Sequence, residues 1–216
     1  LIPPENELYD PYGNHWKAED QDFWVPNFYI THQLNDKITL GLGVTAPFGL
    51  GMDWSGDDDF IYRYLVKEVA IESIYVLPVL SYKITDNWSI AGGPMYVKSE
   101  VEYEAAVDMS DVETALGAAL GFDVYLDDSS MKLEGDNEDG DWGFSLAVHG
   151  TIDRVHLGLS YRSAVECMYA GDAAFTIPAS AYGPDVDAII GSYFPDTSGD
   201  TKIEMPASLQ LGIGFD

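Results

Sequence analysis

The chain has 216 residues, and 37 acidic side chains against 10 basic ones give it a formal net charge of -27. So few cations exclude nucleic acid as a partner, because its phosphates would stay unneutralised. The 14 Tyr, 9 Phe and 5 Trp residues exclude a disordered acidic chain, and the single cysteine, Cys167, excludes an intrachain disulfide.

Alternating side-chain character predicts the first two strands, near 22–34 and 37–48. From Ile38 to Ala46, aliphatic residues alternate with Gly and Thr, and the preceding segment shows the same period of two. Successive side chains of a strand point to opposite faces. One face is therefore aliphatic and aromatic, whereas the other is small and polar. A lipid face paired with a wet lumen of this kind is typical of a transmembrane β-barrel.

Five further strands follow, near 69–84, 87–103, 141–151, 154–171 and 201–215. Tight turns join some neighbours, and long loops at about 49–68, 104–140 and 172–200 join the others. Short turns at one end and long loops at the other are typical of bacterial outer-membrane barrels. We therefore predict an all-β, antiparallel transmembrane barrel with long extracellular loops. Within loop 104–140, Ser110 followed by acids predicts the N-cap of a short helix with an apolar face.

The predicted strand count is odd, whereas single-chain bacterial barrels have even counts. We therefore interpret residues 1–216 as a single β-barrel segment of a longer protein. The alternative is a complete barrel with an eighth strand near residues 1–12. Pro3 and Pro4 disfavour that alternative, because proline cannot donate to a strand ladder.

Several segments together resemble the FadL/TodX family of outer-membrane transporters of long-chain fatty acids and hydrophobic compounds. They include Leu40–Leu50, Arg63–Glu68, Gly140–Phe144, Gly158–Ser163 and Met205–Ser208. The resemblance covers nearly all of 22–216, in order. It implies about half of a 14-stranded barrel, without the N-terminal hatch that plugs the family's barrels. It also implies passive transport of fatty acids or aromatic hydrocarbons, by capture in external loops and lateral exit near a kinked strand.

Two apolar loop stretches are candidates for the external ligand groove that the resemblance implies. The first stretch consists of Phe48, Leu50, Met52 and Trp54, and the second of Leu116, Leu120 and Phe122. The alternative for these residues is anchoring at the membrane interface, which would suit Trp54.

Charged candidates for the lumen are Lys98 beside Glu100 and Arg162 beside Glu166. Either cation would bind the carboxylate of a fatty acid. The alternative is a ladder of paired charges that fills the lumen. Fatty-acid-transporting members of the family have a basic residue where this chain has Glu100, which leaves neutral hydrocarbons open as substrates.

The residues give no indication of catalysis or of a metal or cofactor site. No G-x-S-x-G segment occurs, and the four His residues show no metal-ligand spacing. The acidic runs Asp57–Asp59 and Asp136–Asp139 are either divalent-cation sites or solvated loops beside cation-bridged lipopolysaccharide. Pro78 and Pro94 lie inside strands and mark either a lateral exit or a structural kink.

The expected partners are hydrophobic small molecules, outer-membrane lipid and lipopolysaccharide, and we expect a monomer. Two rival interpretations stay open. An adhesion barrel would act through its acidic external loops, and a soluble β-sandwich would bury its aliphatic strand faces against a second sheet.

Overall fold

The computed structural model describes residues 7–9, 12–22, 25–56 and 59–215, and strands dominate this part of the chain. The strands are β1 (Glu7–Tyr9), β2 (His15–Lys17), β3 (Asn27–Gln33), β4 (Ile38–Thr45), β5 (Gly49–Asp53), β6 (Glu68–Lys83), β7 (Trp88–Val107), β8 (Ser129–Asp136), β9 (Asp141–Ile152), β10 (Val155–Arg162), β11 (Val165–Thr176), β12 (Thr197–Met205) and β13 (Ser208–Phe215). The helices in the same residues are α1 (Ser110–Leu120) and α2 (Pro184–Gly191). Neither is long and apolar enough to cross a membrane.

Consecutive passages of the chain, which we call ribbons, pair side by side in an antiparallel meander. β3 pairs with β4, β4 with β6, and β6 with β7. Each later ribbon consists of two strands in line. β8 and β9 both pair with β7, then β11 and β10 follow, and β12 and β13 form the last ribbon. The seven predicted strands correspond to these ribbons. Among the described residues no pairing joins β3 to β12 or β13, so the sheet is an open wall.

The tight turns form at the predicted places, all at one end of the wall. Asn35 Oδ1 accepts hydrogen bonds from the amides of Lys37 at 2.9 Å and Ile38 at 3.0 Å. Thr85 Oγ1 accepts from the amide of Trp88 at 3.1 Å. Asp153 reaches a φ of 53°, a conformation that Asp tolerates well in turns.

Several ribbons are interrupted, contrary to the prediction of single strands over 154–171 and 201–215. The break between β10 and β11 at residues 163–164 lies opposite the break between β12 and β13 at residues 206–207. Pro206 has no amide to donate, which explains the second break. β5 and β8 lie within the predicted loops 49–68 and 104–140. In β8, for example, apolar Met131 and Leu133 alternate with charged Lys132 and Glu134, and this pattern could have predicted a strand.

An extra segment at residues 137–140 separates β8 from β9 along β7. Asn137 is buried there, and its side chain replaces the lost ladder bonds. Its Oδ1 accepts from the amide of Ser99 at 2.8 Å, and its Nδ2 donates to the carbonyl of Val97 at 2.9 Å. The bulge lets the ribbon bend while β7 stays hydrogen-bonded.

The register assigns every ribbon an outward and an inward face. Between the turn end and the row that pairs Tyr96 with Trp142, the outward residues are mostly exposed and apolar, such as Leu40, Leu80 and Ile90. The rings of Tyr96 and Trp142 meet edge to face at 5.2 Å and, like Trp88 near the turns, bound this apolar band. Aromatic residues at both margins of an apolar band are typical of a barrel wall in a bilayer.

A hydrophobic core separate from the wall lies beyond the loop end, in a unit that we call the cap. The cap is formed by residues 108–128 and 177–196. Val112 and Leu116 of α1 pack there against Ile190 of α2. The predicted helix and its apolar face are therefore confirmed, but Ser110 is not its N-cap. α1 begins at Ser110, and the carboxylate of Asp108 accepts the amide of Ser110 at 2.9 Å instead.

The segment before β3 packs on the loop that follows β5. Trp16 and Ala18 are buried against Trp54 and Phe60, and the indole of Trp16 donates to the carbonyl of Asp59 at 3.1 Å. Among the described residues β1 pairs only with β2, in a separate small sheet. The rest of the alternative eighth strand near residues 1–12 falls largely outside the described residues.

Candidate ligand-binding site

The upper wall, which we define as β5, residues 68–75 of β6, residues 98–107 of β7, and β8, β11 and β12, has an apolar cavity on its inward face. The cavity has a volume of about 470 Å³. Its apolar side chains come from five strands and are Val69, Ile71, Val101, Tyr103, Leu133, Tyr169, Ala173 and Ile203.

A row of glycines explains why this inward face is hollow. Val101 is in register with Gly135, Gly135 with Gly171, and Gly171 with Gly199. At this level three neighbouring ribbons therefore have no side chain to project inward. A Cβ atom at Gly199 would meet no other atom within 4 Å, so the space beside β12 is open.

The floor of the cavity is a packed core. Met95 and Val97 of β7 contact Cys167 and Tyr169 of β11 on the inward face, and all four are nearly inaccessible to solvent. The hydroxyl groups of Ser99 and Tyr169 are 2.7 Å apart across the same face. This core fixes the position of the strands around the cavity.

Three of the predicted groove residues lie beside this cavity. Leu50 is in register with Ile71, and Met52 with Val69, so both project from the inward face of β5. The ring of Phe48 lies 6.1 Å from that of Tyr75, against the packed core. Leu50 is 66% exposed, which leaves a large apolar surface at the edge of the inward face.

Trp54 does not belong to this surface, and its predicted place in a groove or at the membrane interface is wrong. Its side chain is only 6% exposed and stacks on Phe60 at 4.7 Å. It packs against Trp16 and therefore holds the N-terminal segment instead of a ligand or lipid.

The second predicted stretch lies in the cap, where one of its residues is buried and the other two are exposed. Leu116 is buried in the cap core, where no ligand touches it without unpacking α1 from α2. Leu120 and Phe122 are exposed, at 43% and 52%. The ring of Phe122 lies 5.9 Å from that of Tyr182.

Lys98 and Glu100 face outward, contrary to the prediction that they face the lumen. They share a face of β7 with Tyr96, whose partner across the ladder is Trp142. Lys98 Nζ bonds to Asp136 Oδ2 at 2.8 Å and donates to two nearby carbonyls. Above the apolar band the outward face leaves lipid for water, so a polar side chain there does not identify the lumen.

Arg162 does face inward, without the predicted partner. The chain kinks after Arg162, the alternation shifts, and Glu166 emerges on the outward face, where it binds Lys202 at 2.9 Å. The predicted ladder of paired lumen charges is therefore wrong. In the described residues Arg162 has neither an ion pair nor a hydrogen bond.

A second inward cavity, of about 290 Å³, includes Arg162 in its lining. Polar side chains of three other strands also line it, namely Tyr29, Thr31, Thr39, Thr45 and Ser81. Thr45 Oγ1 is buried and has no hydrogen-bond partner in the part of the chain that the structure describes. The half-buried Arg162 and the hydroxyl of Thr45 are therefore polar groups in a cavity whose lining also includes the apolar side chains of Leu77 and Val79.

The two strand prolines meet at one point of the β6–β7 seam. Pairing stops after Val76–Tyr96 and resumes at Leu80–Gly92, which places Pro78 opposite Pro94. A Cβ atom at Gly93 would lie 1.9 Å from the carbonyl oxygen of Pro78, so the two backbones are in close contact. The seam has lost ladder bonds but is closed.

No group of three or more His, Cys, Asp or Glu residues in the described part of the chain is arranged to hold a metal ion. Asp57 and Asp58 of the first acidic run lie outside the described residues. The imidazoles of His149 and His156 stack at 6.0 Å on the inward face.

Comparison with known proteins places this wall in a family. The sequence profile of the outer membrane protein transport proteins (OMPP1/FadL/TodX) matches residues 9–215. The chain belongs to the FadL/TodX family. Outer membrane protein P1 of Haemophilus influenzae strain Rd is 26% identical over 206 residues, which cover 89% of this chain and 42% of that protein. The chain thus spans under half the length of this relative.

Solved structures of FadL/TodX type share the fold. A Pseudomonas aeruginosa FadL homologue superposes with a TM-score of 0.70 at 20% identity, over 96% of this chain and 47% of that one. The Ralstonia pickettii toluene transporter TbuX gives a TM-score of 0.61 at 16% identity, over 94% of this chain and 54% of the other. The predicted transmembrane barrel and outer-membrane location are confirmed, and the soluble sandwich is wrong.

Proposed function

We propose that this chain forms part of the wall of an outer-membrane channel that takes up hydrophobic molecules. The observation that carries the proposal is the apolar cavity of about 470 Å³ on the inward face of the upper wall. Pockets of this size with an apolar lining suit small hydrophobic ligands. Binding and diffusion need neither ATP nor a redox cofactor.

The capture step begins at the exposed apolar edge beside the cavity. Leu50 and Met52 extend the lining of the cavity outward along β5. A ligand that slides from this edge into the cavity stays in contact with apolar surface, which avoids returning it to water. In this account Leu120 and Phe122 of the cap offer a second apolar contact above the wall.

For the substrate we propose a hydrophobic molecule with a carboxylate, such as a long-chain fatty acid. Arg162 supports this choice, because an inward cation that has no ion pair or hydrogen bond with the described residues gains a charge-assisted hydrogen bond from a carboxylate. The rival substrate is a neutral aromatic hydrocarbon, which the similar structures TbuX and TodX, both described as toluene transporters, support. Arg162 would have no part in binding that class.

For the exit we propose the β6–β7 seam at Pro78 and Pro94. Opening the wall there breaks fewer hydrogen bonds than elsewhere along these strands, because neither proline donates one. The opening step must move Gly93 away from the Pro78 carbonyl.

A disulfide between V76C and Y96C, which are in register, would close the seam, and one between I90C and V148C serves as control. We expect the first to slow uptake and to leave binding unchanged. Equal uptake in both would refute this exit.

The first experiment titrates the full-length protein in detergent with oleate and, separately, with toluene, and follows tryptophan fluorescence. Gly199→Phe fills the cavity from an open position and should weaken binding at least about tenfold. Gly49→Phe is the matched control, because its Cβ also meets nothing within 4 Å but projects from the outward face of β5. Equal affinity in both variants would contradict the cavity as the binding site.

A second pair of variants separates the substrate classes. Arg162→Gln should weaken oleate binding and leave toluene binding unchanged, whereas Lys98→Gln should change neither, because Lys98 faces outward. An equal loss for both variants, or for both ligands, would contradict the role of Arg162. Binding of neither ligand by the wild type would contradict transport of these classes and favour an adhesion barrel with acidic external loops.

A further inference from the structure

An acidic groove of about 500 Å³ lies on the outward face of the upper wall, directly behind the apolar cavity. The groove and the cavity share a stretch of backbone that includes Val101, Gly135 and Gly171. At the two glycines only the main chain separates them. Charges in the groove therefore lie roughly 10 Å from a ligand in the cavity, across a single sheet.

The two faces of this sheet differ in charge. In the strands of the upper wall, all of which the structure describes, every Asp, Glu and Lys side chain projects outward. The acids around the groove form two rows across neighbouring strands. One row is Glu72, Glu100 and Asp136, and the other is Glu102, Glu134 and Asp172. Like charges directly opposite each other destabilise a sheet, so stability does not explain these rows.

Two lysines neutralise only part of the charge. Lys132 Nζ lies 2.6 Å from Glu102 Oε1 and 2.8 Å from Glu134 Oε1. Lys98 Nζ lies 2.8 Å from Asp136 Oδ2. The groove therefore keeps a net negative charge.

Three acids of the two rows have no ion pair within the described residues, namely Glu72, Glu100 and Asp172. The effect of such a surface on a carboxylate is visible at Glu68, on the same face of β6. Burial raises the pKa of Glu68, and neighbouring carboxylates, Glu102 first among them, raise it further. The surface thus already disfavours a negative charge on one of the protein's own side chains.

We propose that the outward acids make the apolar cavity selective by charge, so that it accepts an uncharged group and excludes a carboxylate. The acids act through the wall and touch no ligand. Across the sheet their field is weakened less than it would be by the same distance of water.

This inference rests on the proposed function and refines it. A fatty acid places its alkyl chain in the cavity and its carboxylate outside. The position of Arg162 agrees with this arrangement. Its row contains Ser145 and Gly93, on the turn side of the packed floor and away from the acidic rows.

The test compares three ligands of similar shape and different charge, which are para-bromotoluene, para-bromobenzoate and para-bromobenzylammonium. Bromine quenches tryptophan, so a Val101→Trp variant of the full-length protein in neutral detergent reports occupancy of the cavity. The emission of the protein without this substitution is subtracted. Desolvation penalises both ions, whereas the field of the acids distinguishes their signs. We expect the cation to bind at least about tenfold more tightly than the anion.

Two double variants in this background show where the field comes from. Glu72→Gln with Glu100→Gln removes two exposed acids of the groove, whereas Asp36→Asn with Asp153→Asn removes the same charge from exposed turns at the other end of the wall. We expect the first to lower the ratio of cation to anion affinity at least about threefold and the second to leave it unchanged. Affinity for bromotoluene should be the same in both, because a neutral ligand does not sense the field.

Equal affinities for the two ions, or tighter binding of the anion, would overturn the charge selectivity, while saturable quenching by bromotoluene would still support the cavity as the binding site. An equal change of the ratio in both double variants would assign the effect to net charge instead of the acidic rows, which also overturns the inference. No quenching by bromotoluene would contradict the proposed function itself.

Discussion

The apolar band and the upper wall of the same ribbons have opposite polarity on the same faces. Along β7, outward residues change from Ile90 and Tyr96 to Lys98 and Glu100, whereas inward residues change from Ser89 to Val101. The alternation of faces itself continues unbroken. The polarity inverts because the outward face leaves lipid for water at this level, and the inward face changes from a wet lumen to an apolar cavity.

The inversion explains which functional residues could be found from the sequence. At the level of the apolar band a polar residue faces inward, so Arg162 was placed on the correct face. In the upper wall the same rule places Lys98 on the wrong face. The polarity of a side chain reflects the medium around it, and only the register of the strands shows which side of the wall the side chain faces.

The largest effect should come from truncating the packed core that forms the floor of the cavity. Met95→Ala removes a side chain that is 1% exposed and should cost about 2–5 kcal/mol of unfolding free energy. Met168→Ala, on the outward face of β11 and 45% exposed, is the control and should cost far less. Urea unfolding in lipid vesicles measures both. Equal losses would mean that the floor of the cavity is not a packed core.

The next largest effect on stability should come from introducing an arginine on the outward face, either in the apolar band or in the upper wall. Leu40→Arg lies in the row of Leu80 and Gly92, near the middle of the apolar band, and should cost about 2–4 kcal/mol. Glu72→Arg, on the outward face of the acidic upper wall, should be neutral or stabilising. The same unfolding measurement tests this pair. A comparable cost at Glu72 would place the membrane boundary higher than the Tyr96–Trp142 pair.

A smaller effect is expected at the joint between the two regions. Asn137→Ala leaves the buried amide of Ser99 and carbonyl of Val97 without partners, which should cost about 1–3 kcal/mol. Asn87→Ala, in an exposed turn, is the control. Amide exchange of Ser99 should accelerate in the first variant alone. Unchanged exchange would show that water replaces the amide without cost.

The cap should respond weakly to acid through the start of α1. Hydrogen bonds from the hydroxyl and amide of Ser110 lower the pKa of Asp108 below its ordinary value of 3.8. Because the folded pKa is the lower one, the stabilisation is complete above the ordinary value and is lost as pH falls through the folded value. Amide exchange in α1, corrected for intrinsic rates, should therefore rise below pH 3.8. Asp108→Asn should remove this dependence, and an unchanged profile would contradict it.

Local signals predicted much of this wall. The turns at Asn35 and Thr85 and the alternation of β4 and β9 depend on neighbours in sequence, so they could be recognised. The interruptions could not, because they depend on cross-strand partners, as when Asn137 replaces ladder bonds of β7. Trp54 was misplaced for the same reason, since its partner Trp16 is 38 residues away.

The most direct test of the inverted upper wall compares two adjacent residues of β7. Val101→Trp places an indole on the inward face beside the cavity, and Glu102→Trp places one on the outward face. The full-length protein is titrated in detergent with brominated stearate, and the emission of wild-type protein is subtracted. The account predicts saturable quenching of the indole introduced at Val101 and little at Glu102. Equal quenching of both, or quenching of the outward indole alone, would contradict an inward path for the ligand.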